Sequence, residues 1–511
     1  MKSGDIVVFS QRFHNHLLQH LRKIELPTSK AQWFGFITGI VGFVVILLID
    51  TPLHHISEGR PALAAAVAFW MAMWWLTEAM PITITACIPP LLFPILGVFG
   101  KGFFSDLWST LLQYLDPYIW LFAGGLCIAA AMQQWGLHKR IALNIMKYIG
   151  TEPKHLLFGM LTSTAFISLW LSNTACAALM FPIGMAVIHQ MEVSGGGKRL
   201  GFYGMAIMLS IAYGSNIGLG TTIATAPNAM FVGFMEKNGM PVSFLDFMLV
   251  GMPFSAFLVP VTWYFLWRIA RRDTLPPKAS DSAIREELAK IGHMKEQEWS
   301  ILLIFSMAAS VWIFSEPITS SLKPLFLPFK LTGAYVEGGA SLVAGILLLL
   351  WREQSRQVLE VKHLKGLPWG TLILLGGSFA MASGIQSSGL SEYLGSQLAF
   401  ISSMGEFMQV LLVSIATVGI SAVASNTATI AIMLNVLKGV ISPTLLPTVL
   451  YSATMSSSCD FALPAGTPPN AIVFGSGYVT IPQMAKTGAM LDLIAAILCA
   501  VWCWFIVRLV M

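Results

Sequence analysis

The chain has 511 residues, of which 56% are apolar and only 11% are charged, with 30 Lys and Arg against 25 Asp and Glu. Soluble domains carry roughly 25% charged residues. This composition excludes a soluble enzyme, a disordered protein and a nucleic-acid-binding protein. Apolar runs near the roughly 20 residues that cross a bilayer recur along the chain, which indicates an all-α polytopic membrane protein.

Residues 1–32 form a polar segment of mixed charge ahead of the first apolar run. Its length and composition predict a cytoplasmic N-terminal segment that lies on the membrane surface, and not a cleavable signal peptide. Its histidines, His14, His16 and His20, are better explained as a solvated helix face than as a metal site. The six cysteines form no CxxC pair, so no disulfide framework is predicted.

The rest of the chain is a series of apolar segments. They lie near residues 33–50, 61–78, 81–98, 117–137, 155–191, 202–235, 245–267, 298–315, 334–351, 369–390, 407–437, 445–478 and 488–510. Segments 155–191 and 407–437 each contain a central Ser-Asn-Thr, so we interpret them as re-entrant hairpins that enter and leave on one side. About eleven transmembrane helices remain.

The basic residues predict the orientation of these segments. With the N-terminus inside, 23 of the 30 Lys and Arg residues lie on the cytoplasmic side and seven lie outside. This asymmetry predicts a cytoplasmic N-terminus, an external C-terminus, a cytoplasmic-side hairpin 155–191 and an outer-side hairpin 407–437. The longest cytoplasmic loop, 268–297, separates a first half, 33–267, from a second half, 298–511.

The two halves share an internal repeat. One fixed offset pairs Gly124 with Gly377, Gln133 with Gln386, Gly136-Leu137 with Gly389-Leu390, Ser168 with Ser421, and Ser172-Asn173-Thr174 with Ser425-Asn426-Thr427. The offset then shortens, and residues 224–228 (ATAPN) match residues 466–470 (GTPPN). Because the predicted topology brings the two Ser-Asn-Thr triplets in from opposite sides, the repeat is inverted. Inverted repeats with interrupted helices predict a secondary transporter whose site lies at the midplane.

Each Ser-Asn-Thr tip would join the end of one half-helix to the start of another. At each tip, the unpaired carbonyls at the end of the first half-helix attract a cation, and the unpaired N–H groups at the start of the next half-helix attract an anion. Pro227, Pro468 and Pro469 predict similar breaks in segments 202–235 and 445–478, because proline cannot continue a helix. Thr225 and Thr467 at these breaks can donate to an anion.

Few other polar side chains in the apolar segments are candidates for a functional role. Glu78 lies at the end of a span, where it faces the interface or caps a helix, and for Asp460 a structural role is favoured over that of an ion ligand. Gln133 and Gln386 are interpreted as turn and packing features. The sequence contains no HExxH, Walker loop or GxSxG motif, so we expect no enzyme and no catalytic residue.

At these motifs the sequence resembles the divalent anion/sodium symporter family, which includes sodium-coupled di- and tricarboxylate transporters. The resemblance rests on residues 74–81 (WWLTEAMP), both Ser-Asn-Thr triplets and residues 463–470 (LPAGTPPN), and it covers nearly the whole chain. It implies a homodimer. Each protomer would have a scaffold domain at the dimer contact and a transport domain that carries the hairpins and moves like an elevator.

The resemblance also implies the binding residues. A first sodium site would use Ser168, Ser172, Asn173 and the backbone at Ala224. A second sodium site would use Ser421, Ala424, Asn426 and the backbone at Gly466. The substrate would lie between Asn173, Thr174, Thr225, Asn426, Thr427, Thr467 and Pro468. Sodium is the expected coupling ion, and no other cofactor is expected.

The sequence therefore predicts an inner-membrane transporter that imports C4-dicarboxylates such as succinate, malate or fumarate with sodium, with membrane lipid around it and no nucleic-acid partner. Ala224 stands where the family usually has Gly, and Ala226 where it usually has Pro. If residue 224 needs a positive φ, Ala costs about 1 kcal/mol there and weakens the first cation site. A sodium-independent dicarboxylate exchanger therefore stays open, as do citrate or sulfate transport, an anion channel, and a membrane scaffold or receptor.

Overall fold

The computed structural model describes residues 27–275, 281–326, 330–397, 399–464 and 466–511. The predicted surface segment falls largely on residues 1–26, outside this set. The described residues form helices, apart from connecting turns and one antiparallel pair of strands, β1 (Arg352–Glu353) and β2 (Arg356–Gln357). The all-α expectation is therefore confirmed at the level of fold class.

The helices of the first half follow in chain order. They are α1 (Lys30–Leu48), α2 (Arg60–Thr77), α3 (Ile82–Ala86), α4 (Ile88–Leu96), α5 (Phe103–Leu111), α6 (Pro117–Trp135), α7 (Leu137–Ile149), α8 (Pro153–Ser168), α9 (Asn173–Ser194), α10 (Gly201–Ile217), α11 (Ala226–Lys237) and α12 (Phe244–Ala270). Short 3-10 helices lie at Pro52–His55, Ser57–Gly59 and Leu112–Leu115.

The linker and the second half contain the remaining helices. They are α13 (Asp281–Ile291), α14 (Glu296–Ile313), α15 (Ser315–Leu322), α16 (Gly333–Leu350), α17 (Val361–Leu364), α18 (Trp369–Ser388), α19 (Leu390–Gln397), α20 (Ala399–Ser402), α21 (Glu406–Ser421), α22 (Asn426–Val440), α23 (Leu446–Ser458), α24 (Pro468–Phe474) and α25 (Ile481–Val510). A 3-10 turn at Lys323–Phe326 follows α15.

Six helical stretches in the described residues are long and apolar enough to cross a membrane. They are Lys30–Leu48, Phe103–Trp135, Asn173–Ser194, Phe244–Ala270, Gly333–Leu350 and Ile481–Val510. The pair Glu296–Ile313 and Ser315–Phe326, bent by 72°, makes a seventh if it is counted as one span. Large apolar side chains are exposed on several of these helices, among them Phe34, Leu48 and Leu350. Such surfaces are typical of helices that face lipid.

The predicted span 81–98 contains a break, at Cys87 between α3 and α4. Pro89 lies in the first turn of α4, where proline is tolerated because the N–H groups there have no partner in the helix. The backbone oxygen of Ala86, left at the end of α3, accepts a hydrogen bond from the hydroxyl of Tyr114. A neighbouring side chain therefore satisfies the oxygen that the break exposes.

Glycines of the repeat serve matching purposes in the two halves. Gly136 ends α6 with φ 74° and Gly389 ends α18 with φ 86°, a left-handed conformation that glycine adopts without strain. A Cβ at Gly124 would lie 2.2 Å from the backbone oxygen of Ser341, and a Cβ at Gly377 would lie 2.6 Å from the backbone oxygen of Ala86, so α6 contacts α16 closely and α18 contacts α3 closely. The repeat therefore preserves both a helix end and a close helix contact.

The two halves interlock through the short helices that follow the breaks. In the first half α11 packs against α18, α22 and α23, and in the second half α24 packs against α9 and α10. Helix α10 is buried from Tyr203 to Ile217 and also contacts α8 and α12. Each half therefore contributes its broken helix to a surface that the other half completes.

Candidate functional site

The first Ser-Asn-Thr lies at the turn between α8, which ends at Ser168, and α9, which begins at Asn173. The Ser168 hydroxyl lies 2.7 Å from the backbone oxygen of Ser215 and 3.0 Å from Asn173 Oδ1. The hydroxyl of Ser172 accepts a hydrogen bond from the backbone N–H of Ala175 at 3.4 Å. The first tip therefore gathers hydroxyl, amide and carbonyl oxygens.

The second Ser-Asn-Thr has the same arrangement. Here α21 ends at Ser421 and α22 begins at Asn426. The Ser421 hydroxyl lies 2.7 Å from Asn426 Oδ1 and 2.8 Å from the backbone oxygen of Ser457. Ala424 is buried within the turn. The contacts of the two serine hydroxyls are thus repeated, whereas Ser425, unlike Ser172, makes no side-chain hydrogen bond to the helix that follows it.

In the first half the helix break covers residues 218–225, between α10 and α11. The hydroxyl of Thr225 accepts a hydrogen bond from the N–H of Asn228 at 3.4 Å. The side-chain amide of Asn228 donates to the backbone oxygens of Leu219 and Thr221, both at 2.8 Å. One asparagine therefore fixes the loop that leads to Ala224.

In the second half the break lies between α23 and α24. The side-chain amide of Asn470 donates to the backbone oxygens of Leu463 at 2.9 Å and Asp460 at 3.2 Å. Asn216, at the end of α10, donates to the backbone oxygen of Asp460 at 2.6 Å and to Thr467 Oγ1 at 3.3 Å. Sequence reasoning missed Asn216, because its partners lie 244 and 251 residues away along the chain.

Both tips and both breaks line a single cavity of about 840 Å³. The seven residues predicted to bind substrate all line it: Asn173, Thr174, Thr225, Asn426, Thr427, Thr467 and Pro468. Five predicted sodium ligands also line it: Ser172, Asn173, Ala224, Asn426 and Gly466. The other three, Ser168, Ser421 and Ala424, are buried within the tips. The structure therefore brings the predicted residues together around one space.

Part of the cavity wall was not predicted from sequence. It comes from α6, from the segment before α18 and from the first turn of α18: Phe122, Leu126, Ala129, Ala130, Gln133, Gly366, Leu367, Pro368 and Thr371. Glu78 also lines the cavity, in a left-handed conformation with φ 49°. Apart from Gln133 and Glu78, these residues carried no signal, because apolar residues and a Gly-Leu-Pro turn are common in membrane helices and loops. Among the described lining residues, Glu78 is the only one with an ionisable side chain.

The electrostatics of the cavity come mainly from helix ends. Helices α9, α11 and α22, of 22, 12 and 15 residues, begin at residues that line it, and so does the shorter α24. The start of a helix carries a partial positive charge and free N–H groups, and the end carries a partial negative charge and free carbonyls. The arrangement can therefore bind an anion without a basic side chain, and cations at the carbonyls of the tips.

The alanine at position 224 is not strained. In the described residues, positive φ outside glycine occurs at Ser57, Glu58, Glu78, Gln354 and Ser355, and not at Ala224. The left-handed penalty considered from the sequence therefore does not apply. Ala226 is the first residue of α11, and Pro227 follows it within the first turn. The break thus forms with one proline where the second half has two.

The cavity offers neutral oxygen ligands. Within the described ranges, no group of three or more His, Cys, Asp and Glu side chains could hold a metal ion. Neutral hydroxyl, amide and carbonyl oxygens are hard ligands, which suit a hard cation such as sodium. The donor set therefore fits a coupling ion that is bound and released.

A solved structure and curated relatives resemble this chain. The crystal structure of the YdaH transporter of Alcanivorax borkumensis matches with a TM-score of 0.55 at 15% identity, covering 83% of this chain and 98% of that one, which supports the fold alone. The sodium-dependent dicarboxylate transporter SdcS of Staphylococcus saprophyticus is 33% identical over 492 residues, covering 93% of this chain and 91% of that protein. The SdcS protein of Staphylococcus aureus strain bovine RF122 is 34% identical over 505 residues, covering 96% and 94%.

The family with the description "Sodium:sulfate symporter transmembrane region" matches residues 30–511. This match spans both tips, both breaks and the linker between the halves. The resemblance seen in the sequence motifs is thereby confirmed. The chain belongs to the sodium:sulfate symporter family and is a multi-pass membrane protein.

Proposed function

We propose that this protein is a secondary active transporter that couples the import of C4-dicarboxylates, such as succinate, malate and fumarate, to sodium. The observation that carries the proposal is the meeting of two matched tips and two matched breaks at one cavity. The relatives named as sodium-dependent dicarboxylate transporters support the choice of substrate and ion.

The dianion would be held by the helix starts and by short polar side chains. Asn173-Thr174 and Asn426-Thr427 open α9 and α22, and Thr225 and Thr467-Pro468 precede or open α11 and α24. Donors from both halves of the repeat suit a molecule with a carboxylate at each end. A charge-assisted hydrogen bond contributes about 1.5–3 kcal/mol, so a few such bonds suffice for selective binding.

The two sodium sites would flank the substrate. The first would use Ser168, Ser172, Asn173 and the backbone at Ala224. The second would use Ser421, Ala424, Asn426 and the backbone at Gly466. Asn173 and Asn426 would belong to both the ion and the substrate sites, since each asparagine has an amide oxygen for sodium and an amide N–H for a carboxylate.

This sharing gives a physical basis for coupling. Sodium at each tip would hold the asparagine in the orientation that binds the anion, and it would also offset the charge of a dianion in a site without basic side chains. Without sodium the anion meets only partial charges. Sodium would therefore bind first, and movement of the site across the membrane would be unfavourable with only one of the two bound.

The topology that fits this proposal has about eleven transmembrane helices and two re-entrant hairpins. The hairpins would be α8 with α9 on the cytoplasmic side and α21 with α22 on the outer side. Halves 33–267 and 298–511 would form the inverted repeat, with 268–297 as a cytoplasmic linker. The N-terminus would be cytoplasmic and the C-terminus external, in the inner membrane.

Transport would follow an elevator-type mechanism in a homodimer. The tips and broken helices would form the moving transport domain of each protomer. The remaining helices would form a scaffold domain that makes the dimer contact. The interlocked packing of α11 and α24 against the opposite halves supports movement of the tips and breaks as one unit.

Uptake of labelled succinate into proteoliposomes tests the proposal. We expect uptake into empty vesicles under an inward sodium gradient, and none when choline replaces sodium. Sodium-independent uptake only into succinate-loaded vesicles would instead establish an exchanger. Competition by unlabelled malate and fumarate, with no competition by sulfate or citrate, would define the substrate class.

A further inference from the structure

Asp460 lies directly behind the cavity, between the end of α23 and the start of α24, and its side chain is completely buried. Its backbone oxygen accepts hydrogen bonds from the side chains of Asn216 and Asn470. In contrast, neither carboxylate oxygen of Asp460 has a hydrogen-bond partner among the described residues. The backbone of this residue is therefore fixed while its charged group is left without a donor.

The other buried acidic side chains of the described chain are partnered. Asp106 accepts from two backbone N–H groups, at 3.1 and 3.2 Å, and Glu298 pairs with an arginine at 2.8 Å. Glu337 accepts from a backbone N–H and a serine hydroxyl, and Asp492 accepts from the N–H of Phe461 at 2.8 Å. Because a buried charge without a partner is strongly unfavourable, the carboxylate of Asp460 needs either a bound cation or a proton to neutralise it.

The carboxylate of Asp460 points at Gly466. A Cβ on Gly466 would lie 2.2 Å from Asp460 Oδ2 and 2.7 Å from Oδ1, so the carboxylate occupies the space that a side chain would fill. Gly466 lines the cavity, and its backbone belongs to the proposed second sodium site. The unpartnered acidic group therefore lies against a residue of the proposed second sodium site.

Further oxygens without partners belong to neighbouring side chains. Asn216 Oδ1, Asn470 Oδ1 and Ser458 Oγ are buried and have no hydrogen-bond partner among the described residues. Asn216 and Asn470 are the two residues that bind the backbone of Asp460, and Ser458 lies two residues before it. Carboxylate, amide and hydroxyl oxygens are the types of ligand that a hard cation takes.

The first half has no equivalent group. Under the offset that matches Ala224 with Gly466, the counterpart of Asp460 is Gly218. A Cβ at Gly218 would lie 2.5 Å from the Cβ of Ser168 and 2.6 Å from the backbone oxygen of Ala165, so no side chain fits there. The extra negative charge therefore belongs to the second half alone.

We propose that the carboxylate of Asp460 binds a sodium ion additional to those at the two tips. The inference rests on the proposed sodium coupling and extends it by one ion. With this ion in place the carboxylate is neutralised, and each transported dicarboxylate is accompanied by one more sodium ion than in the same chain without the carboxylate. Transport thus moves one more positive charge per cycle.

The first experiment measures the ratio of sodium to succinate from reversal potentials in proteoliposomes, for the wild type and for Asp460→Asn. We expect the ratio to fall by one in the variant. Glu337→Gln is the matched control, because its amide oxygen can still accept from the N–H of Phe244 and the hydroxyl of Ser315, and its ratio is expected to equal that of the wild type. An unchanged ratio in Asp460→Asn overturns the inference.

The second experiment counts bound ions without transport. Binding of labelled sodium to detergent-purified protein without succinate should show one more ion in the wild type than in Asp460→Asn. If Asp460→Asn does not yield folded protein, Asp460→Ser is used, because it also removes the carboxylate and leaves Gly466 of the proposed second sodium site unchanged. Equal numbers of bound ions in the wild type and the variant overturn the inference.

The two proposals fail in different ways. If succinate uptake by the wild type is the same with and without sodium, the proposed sodium coupling is overturned. A wild type that needs sodium, with the same ratio and the same ion count in Asp460→Asn, overturns only the role of Asp460.

Discussion

The two tips of the repeat share one set of contacts and differ just behind it. In each half a serine hydroxyl lies within 3.0 Å of an asparagine amide oxygen and a backbone oxygen of the broken helix. Behind the second tip lies the unpartnered carboxylate of Asp460, and the corresponding place in the first half is Gly218. The contacts proposed to bind substrate and sodium are thus the same in the two halves, while the buried carboxylate occurs in the second half alone.

The comparison separates two requirements of a transporter with an inverted repeat. The groups proposed to bind the substrate and sodium at the tips are repeated, since a dianion with two similar ends can use the same kind of donor at each end. The balance of charge is a property of the whole site, so a single group in one half is enough to change it. The predictions below test where the symmetry holds, from the largest expected effect to the smallest.

Removing either tip asparagine should have the largest effect. Asn173→Ala and Asn426→Ala each delete an amide oxygen that lies within 3.0 Å of a serine hydroxyl, and with it a proposed sodium and substrate ligand. Each change should lower kcat/KM for succinate by about 10- to 100-fold, the equivalent of losing about 1.4–2.8 kcal/mol. Initial rates of labelled uptake measure this.

Asn144→Ala is a suitable control, because its exposed amide only donates to the backbone of Arg140 within α7. Its uptake rate should match the wild type. If one of the two asparagine variants lost most of its uptake while the other kept normal uptake, the tips would not be equivalent.

The tip threonines should give a smaller and equal effect. Thr174→Val and Thr427→Val keep the side-chain shape and remove a hydroxyl from the cavity wall. Loss of one hydrogen bond of about 1 kcal/mol should raise the KM for succinate about fivefold, with little change in expression. Thr38→Val, on the outer helix α1, should leave the KM unchanged. Wild-type kinetics in both tip variants would remove these hydroxyls from the site.

The threonines at the breaks should differ in stability. Thr225 accepts a hydrogen bond from the N–H of Asn228 and caps α11, whereas Thr467 makes no such bond to α24 and accepts from the side chain of Asn216. Loss of a helix cap costs about 1 kcal/mol. Thermal unfolding in detergent should therefore show a larger decrease for Thr225→Ala than for Thr467→Ala. The reverse order would show that Asn216 matters more than the cap.

The linker between the halves should give the smallest effect. Glu287 on α13 accepts from Lys139 of α7 and from Lys290, both at 2.6 Å, and these hydrogen bonds lower the pKa of its carboxyl. A lowered pKa in the folded state stabilises the protein above the pKa of the unfolded state, and this stabilisation is lost as the pH falls through the lowered value.

Glu287→Gln should therefore lower the stability by less than about 1 kcal/mol at neutral pH, and by less still in acid. Thermal unfolding at both pH values measures this. Succinate uptake should stay the same, because the pair lies outside the cavity lining. A strong loss of uptake in this variant would mean that the linker takes part in the transport cycle.

Much of the site could be predicted from the sequence because its chemistry is repeated. The serine, asparagine and threonine triplets stand out as polar groups in apolar segments, and prolines mark the two breaks. Contacts between the halves could not be predicted, because nothing in the local sequence marks Asn216 as a partner of Asp460. Apolar wall residues such as Phe122 were missed for a related reason, since their position depends on helix packing.

The structure also adds information on two residues that the sequence could not supply. Alanine at position 224 looked unfavourable from sequence only on the assumption of a positive φ, which the backbone does not have. For Asp460 the sequence favours a structural role, and the structure adds that its carboxylate has no hydrogen-bond partner among the described residues. Backbone geometry and hydrogen-bond partners of this kind are not contained in a single sequence.

The contact between Asp460 and Gly466 constrains how this part of the protein can evolve. A methyl group at residue 466 and a carboxylate at residue 460 compete for the same space, with only 2.2 Å between the two groups. Relatives that carry alanine at the position of Gly466 should therefore carry a small or neutral residue at the position of Asp460, and relatives with the acid should keep glycine. Substitutions at the two positions are expected to occur together, so the pair would mark which branches of the family carry the additional ion.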